Sequence, residues 1–339
     1  MKRKEWSQLS DKRVKDYDYL FLSTMLRARE AKMLNRERIR RMVDAPSFSE
    51  AAKQLTECGF EDMSGMDARQ IEETLSKYRA EIFEELERVM PEPAILDAFR
   101  LKYDYHNAKV LVKAGSADVD GAYLMSESGR VPAQQLIDAY NNEDFRFIPK
   151  RLGEAIVEAS SIIRRTDNPQ LADFALDKAY YAELLELAEG LSSPFLLEYI
   201  KLMIDGANLN AIVRTIRLGR DFEFIKSALI PGGSRDAEHI AKAALSGETL
   251  APMYSGTAYE KAAELGDEAA RGGRLTEFEL CCEKVESSFF DKAKYASFGA
   301  EAVIAYFSAL ESEITAARMI LTCKLAGVSP ELVRERLCD

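Results

Sequence analysis

Residues 199–219 (YIKLMIDGANLNAIVRTIRLG) place Ile200, Met203, Ile204, Ala207, Ala211 and Ile212 at three- and four-residue steps, so these fall on one helical face. Asp205 and Asn208 lie one turn apart, Arg214 and Arg217 occupy the last turns, and Gly219 follows as a stop that enters the left-handed region without a Cβ clash. Residues 97–115 (DAFRLKYDYHNAKVLVKAG) repeat the pattern, with Asp104 and Asn107 at the same spacing. A third copy, 311–327 (ESEITAARMILTCKLAG), carries Glu313 for the aspartate and Ala316 for the asparagine. Gly327 stands as far beyond Ala316 as Gly219 does beyond Asn208. Asp104 and Asp205 are 101 residues apart, Asp205 and Glu313 are 108. That period is too long for tetratricopeptide or HEAT arrays. It suits three small helical bundles related by a pseudo-threefold turn.

No segment alternates apolar and polar residues as a half-buried strand would, so the expected fold is all-α. The spacing divides the chain into a first bundle over 1–96, a second over 97–193 and a third over 194–297. A long helix over 298–339 returns to the first bundle and closes the ring. With no glycine or proline before Pro46, residues 16–43 are predicted to form one long helix. Ser47 and Glu50 offer a capping box for the helix that follows. Motif helices are predicted over 94–114, 194–218 and 298–326, the second opened by Ser192 or Ser193 before Pro194.

Candidate chemistry is sparse. PGGSR at 231–235 lacks the Lys-Ser/Thr of a phosphate-binding loop and follows no strand, so it is expected to be a turn between helices. Only His106 and His239 are present, there is no Glu-x-x-His motif, and the five cysteines form no CxxC pair. No metal, cofactor or catalytic residue is therefore expected. No run approaches the ~20 apolar residues of a membrane span, and the basic N-terminus has no apolar signal-peptide core, so a cytoplasmic protein is expected. The net charge of −11 is uneven: residues 1–44 carry 13 Lys/Arg against 7 Asp/Glu, a balance of +6, which leaves −17 for the remainder. The acidic whole argues against nucleic acid as a partner. The basic start suits anionic lipid or an acidic protein, or is a solvated helix face.

The Asp-x-x-Asn helix, the GRDFEFIKSALIPGG stretch at 219–233 and the third copy at 311–327 resemble the family of C subunits of the A/V-type rotary ATPases, which vacuolar enzymes name d. YDYL at 17–20, RAR at 27–29 and Leu34 are similar to that family's opening helix. The resemblance implies a funnel of three bundles standing on the membrane proteolipid ring, peripheral to the membrane. It would receive the foot of the central rotor stalk, without catalytic residues of its own, and couple ATP hydrolysis or synthesis to ion transport. It also implies that polar motif positions face the central cavity and contact the stalk: Asp104, Asn107, Asp205, Asn208, Arg214, Glu313 and Arg318. A cytosolic all-α adaptor for a helical partner is the alternative.

Overall fold

The computed structural model describes residues 14–117, 119–191, 193–296 and 298–337, and among them there is no strand. The helices in order are α1 (Leu20–Glu30), α2 (Arg36–Asp44), α3 (Phe48–Thr56), α4 (Ala68–Glu87), α5 (Ala94–Ala117), α6 (Ala133–Asn141), α7 (Lys150–Thr166) and α8 (Pro169–Gly190). They continue as α9 (Pro194–Arg217), α10 (Phe222–Ala228), α11 (Ala237–Leu245), α12 (Glu260–Ala270), α13 (Leu275–Phe289), α14 (Ala300–Leu325) and α15 (Pro330–Arg336).

Local chemistry sets most of the boundaries. Asp67 caps α4 in a reciprocal box with Gln70, and the side chains of Ser47, Asn168, Ser193 and Ser329 accept from the first turns of α3, α8, α9 and α15. Proline opens α8, α9 and α15, where its missing N–H has no intrahelical partner to lose. Gly219 and Gly327 stop α9 and α14 with φ of 64° and 67°, left-handed values that favour glycine. Ser192, the other expected cap of α9, lies outside the described residues, as does Cys338.

The three motif helices are α5, α9 and α14, of 24, 24 and 26 residues. Each organises its own neighbours: α5 packs on α6, α7 and α8, α9 on α10 to α13, and α14 on α1 to α4. α14 also touches both α5 and α9, so the three long helices meet. One apolar core runs continuously through the helices around α14 and α5, from Tyr19 to Val333. A separate core surrounds the second half of α9, with Ile212, Val213, Tyr254 and Phe278 buried in it.

The single helix predicted over 16–43 is two. A 3-10 turn over Asp16–Tyr19 leads into α1, the chain breaks after Glu30, and Asn35 caps α2 by accepting from Arg38 N–H. The local sequence has no glycine or proline there, and its one boundary signal is the N-cap residue Asn35. A tertiary contact accompanies it: Glu313 of α14 accepts the backbone N–H of Leu34 at 2.8 Å. That contact removes the amide from helical pairing, and the released α2 N-terminus is then satisfied by Asn35.

A candidate interface where the three long helices meet

The long helices enclose a cavity of about 580 Å³. Counting back from the motif acid of each, the residues five and two positions earlier line it: Phe99 and Lys102 on α5, Ile200 and Met203 on α9, Ser308 and Glu311 on α14. Three helices thus present the same register to one space. α2, α8, α13 and α15 complete the wall with Arg36, Tyr180, Glu283, Glu286 and Arg336.

That register determines where the motif acids go. Residues turn by about 100° each along an α-helix, so a side chain two positions from a cavity residue points to nearly the opposite face. Asp104, Asn107, Asp205, Asn208 and Glu313 are accordingly all buried, between 0% and 5% exposed, and none lines the cavity. The structure places these five residues, expected to face a central opening, away from this cavity. They face the helices packed on the other side, where they hold a loop.

The two complete copies do this in the same way. The Asn107 amide donates to Ser126 C=O and accepts from Ser126 N–H, both at 2.8 Å. Asn208 makes the same pair with Ile230, at 2.8 and 2.7 Å. Four residues further along each loop, Asp104 accepts from the N–H groups of Arg130 and Val131 at 2.8 and 3.1 Å, and Asp205 from those of Ser234 and Arg235 at 3.0 and 3.2 Å. Each carboxylate also takes a side-chain donor: Arg130 Nε at 2.7 Å for Asp104, and Ser234 Oγ for Asp205. The residue before the first amide pinned by the aspartate is glycine in both loops. A Cβ on Gly129 would stand 2.4 Å from Asp104 Oδ1, and one on Gly233 2.3 Å from Asp205 Oδ1, so glycine is required for the backbone to reach the carboxylate.

In the third copy the pinned loop is the one between α1 and α2, so the C-terminal long helix uses the N-terminal segment as its partner. Glutamate has one more methylene than aspartate and reaches a loop that has Met33, not glycine, before the pinned amide. Ala316 supplies no amide and instead lines the cavity. In all three copies the pinned segment leads directly into a nine-residue helix, α2, α6 or α11. The PGGSR stretch is thereby explained as one of these loops, a turn between α10 and α11. Burial pushes the Asp104 and Asp205 carboxyls above the usual range, against the donors that favour their ionised forms. Glu313 is pushed to about 7 by burial, opposed only by Leu34 N–H and the charge of Arg38, and its Oε2 is buried without a hydrogen-bond partner.

Arg214 and Arg318, the remaining residues singled out from sequence, lie on the outside of their helices. Arg214 is paired with Glu279 at 2.6 Å and Arg318 with Glu72 at 2.6 Å. Neither lines the cavity. Exposed pairs of this kind contribute about 0–1 kcal/mol.

The charges that do face the cavity were not singled out from sequence. Glu311 bonds Lys102 Nζ at 2.7 Å and the Tyr103 hydroxyl at 2.6 Å, with Arg79 Nε at 3.1 Å, which ties α14 to α5 and α4. Burial opposes ionisation of Glu311, but Lys102 and Arg79 outweigh it and hold the carboxyl below its usual range. Arg79, 2% exposed, also stacks on the Tyr103 ring at 4.6 Å. Across the cavity, burial and the neighbouring Glu283 push Glu286 up to about 7. The wall is therefore mixed: cationic and salt-bridged on the α5 side, of both signs on α13, where Lys284 stands with Glu283 and Glu286, and apolar on α9. The fixed offset from the motif acid could have located these residues. It becomes meaningful only once the three helices are known to share a cavity.

Among the described residues no group of His, Cys, Asp and Glu could hold a metal ion, and no helix is long and apolar enough to cross a membrane. Likeness to known proteins extends along almost the whole chain. The C subunit of the V-type sodium ATPase of Enterococcus hirae is 26% identical over 327 residues, covering 94% of this chain and 98% of that protein. The C subunit of the A-type ATP synthase of Thermococcus kodakarensis is 25% identical over 334 residues, with 94% and 89% covered, and its counterpart in Pyrococcus horikoshii is 21% identical over 332, with 94% and 89% covered. The family model for the ATP synthase (C/AC39) subunit matches residues 22–336. The repeated helices, their pinned loops and this end-to-end match together make the chain a member of the ATP synthase (C/AC39) subunit family.

Proposed function

We propose that this chain is the non-catalytic socket of a rotary ATPase. In this reading its three bundles form a funnel that stands on the membrane proteolipid ring, on the cytoplasmic side, and the funnel's central cavity receives the foot of the rotor stalk. The observation that carries the reading is the shared register of α5, α9 and α14 around one cavity. A socket that transmits torque must resist deformation, and the loop staples on the outer faces serve that end. They fix their connections with buried hydrogen bonds from Asp104, Asn107, Asp205, Asn208 and Glu313, and leave the inward face free for a partner. The Glu311 network locks α14, α5 and α4 against one another. The stalk contact is assigned to the cavity wall, where Glu283 is exposed and Met203 lies on the apolar side.

The test is capture of purified stalk subunits and of detergent-solubilised proteolipid ring by the tagged full chain. Wild type should retain both. Met203→Asp and Glu283→Lys should weaken stalk capture about tenfold or more and leave ring capture unchanged. Failure of wild type to hold either partner would refute the reading. So would ATP turnover by the pure chain that a point substitution in it abolishes.

A further inference from the structure

A second cavity, of about 410 Å³, lies between the first half of α9, the loop pinned by Asp205 and the end of α13, and shares no lining residue with the first. The two pinned loops differ at this point. Arg130 lays its guanidinium on Asp104 at 2.7 Å and reaches Glu183 at 2.8 Å, whereas the matching Ser234 ends at Asp205. Both carboxylates in the cavity wall are occupied. Asp205 accepts the N–H groups of Ser234 and Arg235 and the Ser234 hydroxyl, and Glu198 pairs with Lys292 at 3.2 Å. The hydroxyls of Thr257, Ser288 and Tyr259 donate to the backbone carbonyls of Tyr254, Val285 and Leu202. The hydrogens left over are on cations and on one phenol. Lys201 has no ion pair or hydrogen bond among the described residues, and the exposed Arg235 guanidinium makes a single contact, 3.4 Å to Ser255 C=O. Tyr254 is 1% exposed, and its buried hydroxyl has no hydrogen-bond partner. Burial and then the charge of Asp205 hold that hydroxyl well above its usual range, with Arg235 opposing. Asp205 and Arg235 both line the cavity, so the Tyr254 hydroxyl sits at its inner end. A buried hydroxyl without a partner is destabilising by itself, and a bound acceptor would offset that.

We propose that this cavity binds a phosphate group, free or carried by a small organic molecule, held by Lys201, Arg235 and the Tyr254 hydroxyl. Phosphate oxygens are acceptors only, which matches a wall whose uncommitted polar groups are donors, and bonds from ammonium and guanidinium groups to an oxyanion are the strong, charge-assisted kind. Leu202, Val285 and Phe289 give the same cavity an apolar side that suits an organic body. A cationic guest would meet Lys201 and Arg235 and find no free carboxylate. The site goes beyond the socket reading and does not rest on it, since it uses neither the space between the long helices nor the stalk.

The experiment is isothermal titration calorimetry of the full chain, at constant ionic strength, with inorganic phosphate, glycerol phosphate and adenosine monophosphate. Adenosine and spermidine serve as uncharged and cationic controls. At least one of the three phosphates should bind with a Kd of ~1 mM or tighter, and adenosine should not. Tighter binding of glycerol phosphate or adenosine monophosphate than of inorganic phosphate identifies an organic phosphate as the guest, and equal binding identifies free phosphate. Lys201→Gln/Arg235→Gln should weaken binding about tenfold or more. That variant keeps the Arg235 backbone N–H that Asp205 accepts, so the loop stays pinned. Tyr254→Phe should weaken binding about fivefold, yet melt no lower than wild type without ligand, because the hydroxyl it removes has no partner in the protein. No phosphate binding at ~10 mM would overturn the proposal, as would affinity unchanged in Tyr254→Phe. Binding of spermidine in place of the phosphates would overturn it in favour of a cationic guest on Asp205. Stalk capture by Lys201→Gln/Arg235→Gln should equal that of wild type, so the phosphate site and the socket fail separately.

Discussion

Replacing Asn208 by alanine removes both hydrogen bonds to Ile230, at 2.8 and 2.7 Å, and leaves that residue's N–H and C=O without partners. Asn208 is 1% and Ile230 7% exposed, so water does not readily substitute. A buried polar group left unpaired costs about 1–3 kcal/mol, so the two groups together should cost about 2–6 kcal/mol. That is a large share of the ~5–15 kcal/mol by which a domain is stable. Asn107→Ala breaks the same pair on α5, but Ser126 is only half-buried and water can reach its backbone. Its cost should be about 1–2 kcal/mol. Asn208→Asp keeps an acceptor for Ile230 N–H but sets an oxygen against the Ile230 carbonyl, so it should not rescue. The measurements are urea unfolding midpoints of the three variants and hydrogen exchange at the Ile230 amide. If Asn208→Ala were no more destabilising than Asn107→Ala, or if the Ile230 amide stayed as protected as in wild type, the staples would not be holding these loops.

The same geometry sets three further outcomes. Gly233→Ala and Gly129→Ala each drive a Cβ to within 2.3 and 2.4 Å of an aspartate oxygen and should cost about 1–3 kcal/mol in chemical denaturation. Gly190→Ala, at the end of α8 with nothing within 4 Å, should be neutral or stabilise by up to about 1 kcal/mol. Glu313 titrates near 7 in the fold against 4.5 for an ordinary glutamate, so the folded state binds the extra proton. Stability is then full below about 4.5 and falls as pH rises towards 7, by at most about 3 kcal/mol from this group. In pH-dependent melting, Glu313→Gln should remove that slope and be the more stable protein at pH ~8. An unchanged slope in this variant would place the titration elsewhere, Glu286 being the other acid near 7.

The amino-acid sequence by itself determined the class of the fold, the three long helices and the equivalence of Asp104 with Asp205 and Glu313. These rest on short-range chemistry that a single chain displays: apolar residues at helical steps, capping side chains such as Asp67 and Ser329, and glycines such as Gly219 and Gly327 where a helix must turn left-handed. It also marked Asp104, Asn107, Asp205 and Asn208 as a repeated device, but not what they do. A buried acid that staples a loop and an acid that faces a partner have the same sequence. The difference lies in which side of the helix meets the other two, fixed only when α5, α9 and α14 come together around the cavity. The break between α1 and α2 has the same origin. Within residues 16–43 the local signal is a single N-cap residue, Asn35, and the carboxylate that holds Leu34 N–H at the break belongs to Glu313, 279 residues away along the chain. Helix propensity changes by only ~0.7 kcal/mol per ordinary residue, so one buried carboxylate fixed on a neighbouring helix can decide where a helix ends.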